Sequence, residues 1–197
     1  MATALISPTR LPEGITFDRL ESNAGLFEVI EGEITEKPLS TFTTWLVGRL
    51  YLSLGAFVDQ HKIGTMVSEA IFVLDDDRLN QPRPDLAFVS ADRWALDRIP
   101  AFHGYWRLVP NLAIEVVSPS DRFEDVVEKA QMYLDNDVDE VWLIVPRTRT
   151  VMAYRSGNQV ATFHPGQMLE TPLIPGWSLD VNQIIPANPS DFAAPPA

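Results

Sequence analysis

Hydrophobic positions along the chain recur at two spacings, which predict both helices and strands. Over 40–60, apolar side chains return every three or four residues, which indicates a long amphipathic helix with Ser40 or Thr41 as its N-cap. A second helix is expected to follow the cap Ser118-Pro-Ser120 and to end near Asn136. Short apolar or alternating runs predict strands at 27–34 (two strands around a turn), 64–74, 85–89, 112–117, 141–145, 151–154 and 160–163.

The connections between these elements predict the fold class. Gly32 and Gly157-Asn158 favour tight turns between antiparallel strands, whereas the strand–helix–strand segment 112–145 needs a crossover between parallel strands. Both kinds of connection in one chain indicate an α/β fold with a mixed central sheet flanked by helices. A chain of 197 residues, 46% of them apolar, can form one such core without a second domain.

Two terminal segments fall outside the predicted core. We expect residues 1–11 to form a flexible N-terminus and assign the single domain to 12–185, with a short helix at 12–22. Four prolines fall within 186–197, a composition that predicts a disordered tail.

Composition excludes several kinds of site. The chain has no cysteine, so neither a disulfide nor a thiolate zinc site can form, and its three histidines are too scattered for a zinc motif. No apolar stretch approaches the roughly 20 residues that span a bilayer, and Met1–Pro12 lacks the pattern of a signal peptide. We therefore predict a cytoplasmic protein without a membrane segment.

Charge is the main argument against a simple nucleic-acid binder. Lysine and arginine total 15 and the acidic residues total 27, which gives a net charge of −12. Binding of nucleic-acid phosphates needs a positively charged surface, which a net negative charge opposes. The segment 78–107 is locally positive, because its five arginines outnumber its three aspartates. It is interpreted either as a solvated loop with local ion pairs or as a surface that meets a DNA backbone.

Glu115 is the residue that most clearly indicates chemistry, because all its neighbours in the run Leu112-Ala-Ile-Glu-Val-Val117 are apolar. A buried carboxylate costs several kcal/mol unless it is paired or binds a metal ion. Strand alternation places Glu115 on the face of Ala113, and Asp85 on the face of Ala87. Side by side, two such strands would form a small acidic pocket whose carboxylates suit Mg²⁺ or Mn²⁺.

The helix that follows adds a candidate cation to this pocket. Asp125, Lys129 and Tyr133 are spaced four apart and lie on one stripe, so Lys129 is expected to point back toward Glu115. In a metal hydrolase, such a lysine would hold the attacking water or offset charge in the transition state. The alternative is a buried structural ion pair of Glu115 with Lys129, with Asp85 as a turn acid, and the residues alone support both equally.

Together, these residues resemble the Uma2 family, a group regarded as endonucleases and also described as a domain of unknown function. The likeness covers about residues 12–185 and is specific as a combination, although no single piece is. It rests on Arg83-Pro-Asp85, Leu112-Ala-Ile-Glu-Val-Val-Ser-Pro-Ser120, Asp125-x-x-x-Lys129-x-x-x-Tyr133, Glu140-Val-Trp-Leu-Ile144, Phe27-Glu-Val-Ile-Glu-Gly-Glu-Ile34, Gly64-x-x-x-x-Glu69 and Leu173-Ile-Pro-Gly-Trp177.

The resemblance implies a restriction-endonuclease-like core and the metal site of the PD-(D/E)xK superfamily. Asp85 matches the first acid of that motif, Glu115 matches the second, and the backbone carbonyl of Val116 matches the third ligand of Mg²⁺ or Mn²⁺. Glu69 and Glu28 match recurrent family acids. Each either adds a contact to the metal ion or forms a structural ion pair, and Glu69 is the further candidate metal ligand.

This chain departs from the superfamily pattern at two positions. Val117 stands where the motif calls for a lysine, and the family members that lack it carry a helix lysine, which here is Lys129. Many members also have a histidine near the start of the long helix, whereas this chain has Ser40-Thr-Phe-Thr-Thr44 there. The second departure puts any catalytic role of that stretch in doubt.

Three functions are consistent with these residues. The first is a Mg²⁺- or Mn²⁺-dependent DNA nuclease with Asp85, Glu115 and Lys129 as its catalytic residues and weak binding of DNA. The second is a catalytically silent binding or regulatory protein of the same fold, and the third is a metal-dependent hydrolase of a small phosphorylated substrate. The aromatic side chains of the arginine-rich segment either form a homodimer face or cover the core: Trp94, Phe102, Tyr105 and Trp106.

Overall fold

The computed structural model describes most of the chain, namely residues 26–37, 40–75, 79–100, 105–119, 121–157 and 159–187. The predicted flexible N-terminus and short helix lie outside the described residues, as does most of the predicted tail. Within the described ranges, none of the helices combines the length and apolar character that crossing a membrane requires.

A six-stranded mixed sheet forms the centre of the fold. Its strands run in the order β3-β4-β5-β6-β7-β8, with β5 and β6 parallel and the other neighbours antiparallel. The predicted α/β class with a mixed central sheet is therefore confirmed. The elements are β1 (Leu26–Ile30), β2 (Glu33–Lys37), α1 (Thr41–His61), β3 (Gly64–Ser68), β4 (Leu86–Ser90), β5 (Leu112–Val116), α2 (Phe123–Asp135), β6 (Glu140–Val145), β7 (Thr150–Arg155), β8 (Gln159–Phe163), β9 (Met168–Glu170), β10 (Ser178–Asp180) and α3 (Val181–Ile184).

The two faces of the sheet are covered by different helices. Helix α1 begins after Ser40, whose side chain accepts a hydrogen bond from the Thr43 amide at 3.0 Å, as predicted for an N-cap. Its buried stripe, from Leu46 to Val58, packs in one cluster with the even-numbered residues of β5, such as Ile114. Helix α2 packs in a second cluster that contains Ala113. Strand alternation therefore separates the face covered by α1 from the face that carries Glu115.

The start of α2 differs from the prediction. The helix begins at Phe123 with Arg122 as its N-cap and without a side-chain cap, so the predicted capping by Ser118-Pro-Ser120 is wrong for Ser118; Ser120 lies outside the described residues. Asp121 accepts a hydrogen bond from the Ser118 amide at 2.7 Å and closes a separate turn before the helix.

Part of the arginine-rich segment packs against the fold, whereas Arg98 and Arg107 are exposed. Trp106 is buried and packs edge-on against Trp94, with ring centroids 5.1 Å apart, so these two tryptophans cover the core, one of the two expected roles; Phe102 lies outside the described residues. Arg93 donates to the carbonyls of Val109 and Pro110, at 2.9 and 2.8 Å. Main-chain contacts therefore anchor Arg93 to the segment before β5.

Candidate active site

Two neighbouring strands bring Asp85 and Glu115 together. Asp85 directly precedes β4, whose Leu86 pairs with Ile114 of β5, and Glu115 follows Ile114. Both carboxylates are buried, and they share their face of the sheet with Ala87 and Ala113. The amide of Val116 donates to Asp85 Oδ2 at 2.6 Å, which ties the end of β5 to the acid before β4.

Helix α2 supplies a cation and a phenol to Glu115. Lys129 Nζ lies 2.9 Å from Glu115 Oε1, and the Tyr133 hydroxyl donates to the same oxygen at 2.8 Å. Their spacing of one helical turn is what allows both to meet one carboxylate. Asp125, the third member of the predicted stripe, is exposed and lies 3.9 Å from Arg122 instead.

The β1–β2 hairpin contributes two further charged side chains. Its register places Glu28 opposite Thr35 and Leu26 opposite Lys37, so Glu28 and Lys37 project from one face of the hairpin. Glu28 is buried and accepts hydrogen bonds from Lys129 Nζ at 2.7 and 2.8 Å and from the Arg83 amide at 3.0 Å. The structure thus gives Glu28 a paired role with Lys129, the lysine predicted from the sequence.

Lys37 is the site residue that the sequence interpretation missed. Its Nζ donates to the Arg83 carbonyl at 2.6 Å and to Asp85 Oδ1 at 2.8 Å, and it lies 3.8 Å from Glu115 Oε2. Pairing of the hairpin around Gly32 was a usable signal, because extending the second strand to Lys37 puts its side chain on the face of Glu28. Packing of the hairpin against β4 and β5 is a long-range event that no local pattern contains.

Glu69 completes the group from the end of β3. Its carboxylate lies 3.4 Å from Lys37 Nζ, and its backbone is left-handed, with φ of 53°. A non-glycine residue in this conformation carries strain that is common at functional sites. We name the four carboxylates and two ammonium groups the acidic centre: Glu28, Glu69, Asp85, Glu115, Lys37 and Lys129.

The acids of this centre differ in how well their charge is balanced. Burial disfavours ionised Glu115, but Lys129 and Lys37 outweigh burial and lower its pKa. Burial raises the pKa of Glu69 to about 7 and also raises the pKa of Asp85, although Lys37 opposes both shifts. The difference follows from the contacts, because Glu115 lies near two ammonium groups whereas Asp85 and Glu69 share one.

Both lysines remain charged in this environment. Burial disfavours the ammonium of Lys37, yet the surrounding carboxylates, led by Glu115, outweigh burial and raise its pKa. For Lys129, Glu115 and Glu28 likewise outweigh burial and raise the pKa. Burial and the charge of Glu115 raise the pKa of Tyr133 well above its usual value, so its hydroxyl stays protonated and donates to Glu115.

The acidic centre opens onto a cleft of about 890 Å³. No arginine of the segment 78–107 is among the described residues that line it. Arg93, for example, binds Asp139 at 2.8 Å, near the beginning of β5 and away from Glu115. The described part of this segment therefore adds no arginine to the wall of the cleft. Charged residues among the described lining comprise nine acids and three bases: Glu28, Glu31, Glu33, Glu36, Asp85, Glu115, Asp121, Asp125 and Glu128, with Lys37, Arg122 and Lys129.

The donor atoms of the acidic centre suit a divalent cation in kind. Oxygens of Asp85, Glu115 and Glu69, with the Arg83 carbonyl, surround one position, and carboxylate and carbonyl oxygens are the preferred ligands of Mg²⁺. That position holds the ammonium of Lys37, and no three acidic or histidine side chains of the described residues are arranged to hold a metal ion. The residues therefore have the right chemistry for a divalent ion. Their arrangement fits such an ion only after the ammonium group of Lys37 moves away.

Comparisons with known proteins agree with this architecture. A family model described as "Uma2: Putative restriction endonuclease" matches residues 16–182. A similar solved structure is that of "a putative nuclease belonging to DUF820" from Anabaena variabilis ATCC 29413, with a TM-score of 0.74 and 21% identity. The alignment covers 87% of this chain and 97% of that one, and at this identity it shows a shared fold. No curated protein matches the chain.

Proposed function

The chain belongs to the Uma2 family, and we propose that it is a metal-dependent endonuclease that hydrolyses DNA phosphodiester bonds at the acidic centre. The observation that carries this proposal is the convergence of Asp85 and Glu115 beside Lys129, at the wall of an open cleft. With a metal ion held by the two carboxylates, these groups can support phosphodiester hydrolysis.

Each residue has a distinct part in this proposal. Asp85 and Glu115, with the backbone carbonyl of Val116 and with Glu69 as a further ligand, would hold Mg²⁺ or Mn²⁺. When bound, such an ion would supply an activated water and charge stabilisation at the phosphate. Lys129, held 2.9 Å from Glu115 Oε1, offsets negative charge that develops on the phosphate oxygens.

Charge predicts that DNA binding is weak. The net charge is −12, and the cleft carries more acids than bases, so phosphates are repelled unless a divalent ion is bound. Because affinity for DNA falls steeply with added salt, we expect measurable binding only at low ionic strength.

Cleavage with matched variants tests the proposal. The wild type is incubated with plasmid and single-stranded DNA in Mn²⁺ at low ionic strength, beside Asp85→Asn, Glu115→Gln and a sample in EDTA. We expect slow cleavage by the wild type and a loss of at least about a thousandfold in both variants, because each removes a ligand charge while retaining side-chain shape. Equal cleavage by all three proteins would reveal a contaminant and refute the proposal.

A catalytically silent binding protein of the same fold is the second candidate. The position of Lys37 between Asp85 and Glu115 favours it, because an ammonium group already neutralises the carboxylates that a metal ion would bridge. The remaining alternative is a metal-dependent hydrolase of small phosphorylated substrates, and a small phosphodiester such as bis(p-nitrophenyl) phosphate distinguishes it from a nuclease. Its hydrolysis without DNA cleavage would indicate a hydrolase of small phosphorylated substrates.

A further inference from the structure

Lys37 stands at the point where the oxygen atoms of the acidic centre converge. Four oxygens from three parts of the chain lie around its Nζ: the Arg83 carbonyl at 2.6 Å, Asp85 Oδ1 at 2.8 Å, Glu69 Oε2 at 3.4 Å and Glu115 Oε2 at 3.8 Å. The arrangement combines three carboxylates with a main-chain carbonyl, the donor set that proteins offer to hard divalent cations. A lysine therefore fills a cage whose chemistry suits a metal ion.

The two lysines of the centre serve different oxygens. Lys129 binds Glu28 and Oε1 of Glu115, whereas Lys37 binds Asp85 and lies near Glu69 and Oε2 of Glu115. Lys37 is thus the cation that stands between Asp85 and Glu115, the two proposed metal ligands. A metal ion held by both carboxylates would need the position of its ammonium group.

The position of Lys37 in the fold allows such an exchange. It is the last residue of β2, in a two-stranded sheet separate from the six-stranded sheet that carries Asp85 and Glu115. Its side chain lines the open cleft, and a lysine has a flexible four-carbon stem. The ammonium can therefore leave the cage by rotation of its side chain toward the cleft, without unfolding of the sheet.

We infer that Lys37 is a resident cation of the acidic centre and that a divalent ion binds there only by displacing its ammonium group. This inference rests on the proposed function for the identity of the metal ligands. Its consequence is that Lys37 sets the metal affinity: the wild type binds the ion weakly, and a neutral side chain at this position opens the cage.

Calorimetric titration of the full chain with Mn²⁺ tests the inference. Lys37→Gln is compared with the wild type and with Lys129→Gln, which removes the same charge from the same centre but does not open the cage. We expect Lys37→Gln to bind Mn²⁺ at least about tenfold more tightly than the wild type, and more tightly than Lys129→Gln, because loss of a nearby positive charge favours the ion in both variants but only one vacates its position. Equal affinities in the two variants, or no gain in Lys37→Gln, would overturn the inference.

A measurement on the wild type covers the case in which Lys37→Gln does not fold. The chain has three lysines, and Lys62 is exposed, so NMR of a lysine-labelled sample gives three side-chain signals that Lys62→Arg helps to assign. At Mg²⁺ concentrations that saturate the protein, we expect the Lys37 signal to move toward that of exposed Lys62. A Lys37 signal that stays in place under saturation contradicts displacement.

Failure of this inference is distinguishable from failure of the proposed function. Tighter Mn²⁺ binding by Lys37→Gln, with no DNA cleavage by any protein, supports the resident cation and refutes the nuclease. Cleavage by the wild type, with no gain in affinity in Lys37→Gln, supports the nuclease and refutes the resident cation.

Discussion

Two buried glutamates on neighbouring strands have opposite surroundings. Glu115 of β5 belongs to the acidic centre, in which four carboxylates meet two ammonium groups beside an open cleft. Glu140 of β6 is 1% exposed and accepts hydrogen bonds from Trp142 Nε1 at 2.7 Å, Arg155 at 3.0 Å and Thr171 Oγ1 at 2.8 Å. We name Glu140 and its three donors the Glu140 cluster.

The difference shows that burial of an acid does not by itself indicate a functional site. In the Glu140 cluster, one carboxylate meets one guanidinium and two neutral donors, which satisfies both oxygens and leaves the group off the cleft. The acidic centre instead has more carboxylates than ammonium groups, so it retains negative charge that a cation can neutralise. The balance of charge and the access to solvent therefore distinguish a structural buried acid from an acid of a functional site.

Truncation of the Glu140 cluster is expected to have the largest effect on stability. Glu140→Ala leaves Arg155, Trp142 and Thr171 without their acceptor, and breaking a buried pair in this way costs about 3 to 5 kcal/mol. Urea denaturation measures the loss in free energy of unfolding. At a temperature where the variant is folded, Mn²⁺ affinity and cleavage should match those of the wild type.

The opposite result would contradict this contrast between the Glu140 cluster and the acidic centre. If Glu140→Ala retained its free energy of unfolding but lost Mn²⁺ binding, Glu140 would belong to the functional site and the acidic centre would be structural.

Lys129→Met tests whether the acidic centre has a catalytic role. Its ammonium binds Glu28 and Glu115, and if it also stabilises the transition state, its loss should lower the cleavage rate by about a hundredfold. Lys62→Met, at the exposed third lysine, is the matched control and should leave the rate unchanged. An unchanged rate in Lys129→Met would reduce Lys129 to a structural partner of the two glutamates.

Much of the fold was predictable from local patterns. The helix predicted over 40–60 spans Thr41–His61, and the apolar runs at 85–89, 112–117 and 141–145 each contain most of a central strand. Hydrophobic spacing is a property of neighbouring residues, so the sequence contains it directly. The same alternation places Asp85 and Glu115 on one face, because the pairing of β4 with β5 preserves it.

The remaining features depend on contacts between distant segments. Lys37 reaches Asp85 across 48 positions of the chain, and Arg93 is bound to Asp139 across 46, so neither role has a local signature. The arginine-rich segment accordingly looked like a charged surface, although Arg93 binds main-chain carbonyls. Charge counts describe composition, whereas the partner of each charge is decided by the tertiary fold.

The smallest expected effect is a change in the pH dependence of stability in Glu69→Gln. Burial raises the pKa of Glu69 from its ordinary 4.5 to about 7, so the folded state binds a proton that the unfolded state releases between these values. Stability should therefore fall as pH rises from about 4.5 to 7, and the neutral glutamine should remove this fall.

Urea denaturation in EDTA at pH 5 and pH 8 measures this effect. We expect Glu69→Gln to gain free energy of unfolding only at pH 8, by about 1 kcal/mol or less because solvent screens this part-exposed group. Glu36→Gln, at an exposed acid outside the acidic centre, is the control for general charge. Equal gains at both pH values would mean that the pKa of Glu69 is not raised in the folded protein. Glu69 would then differ from Glu140 in position only and not in the balance of its charge.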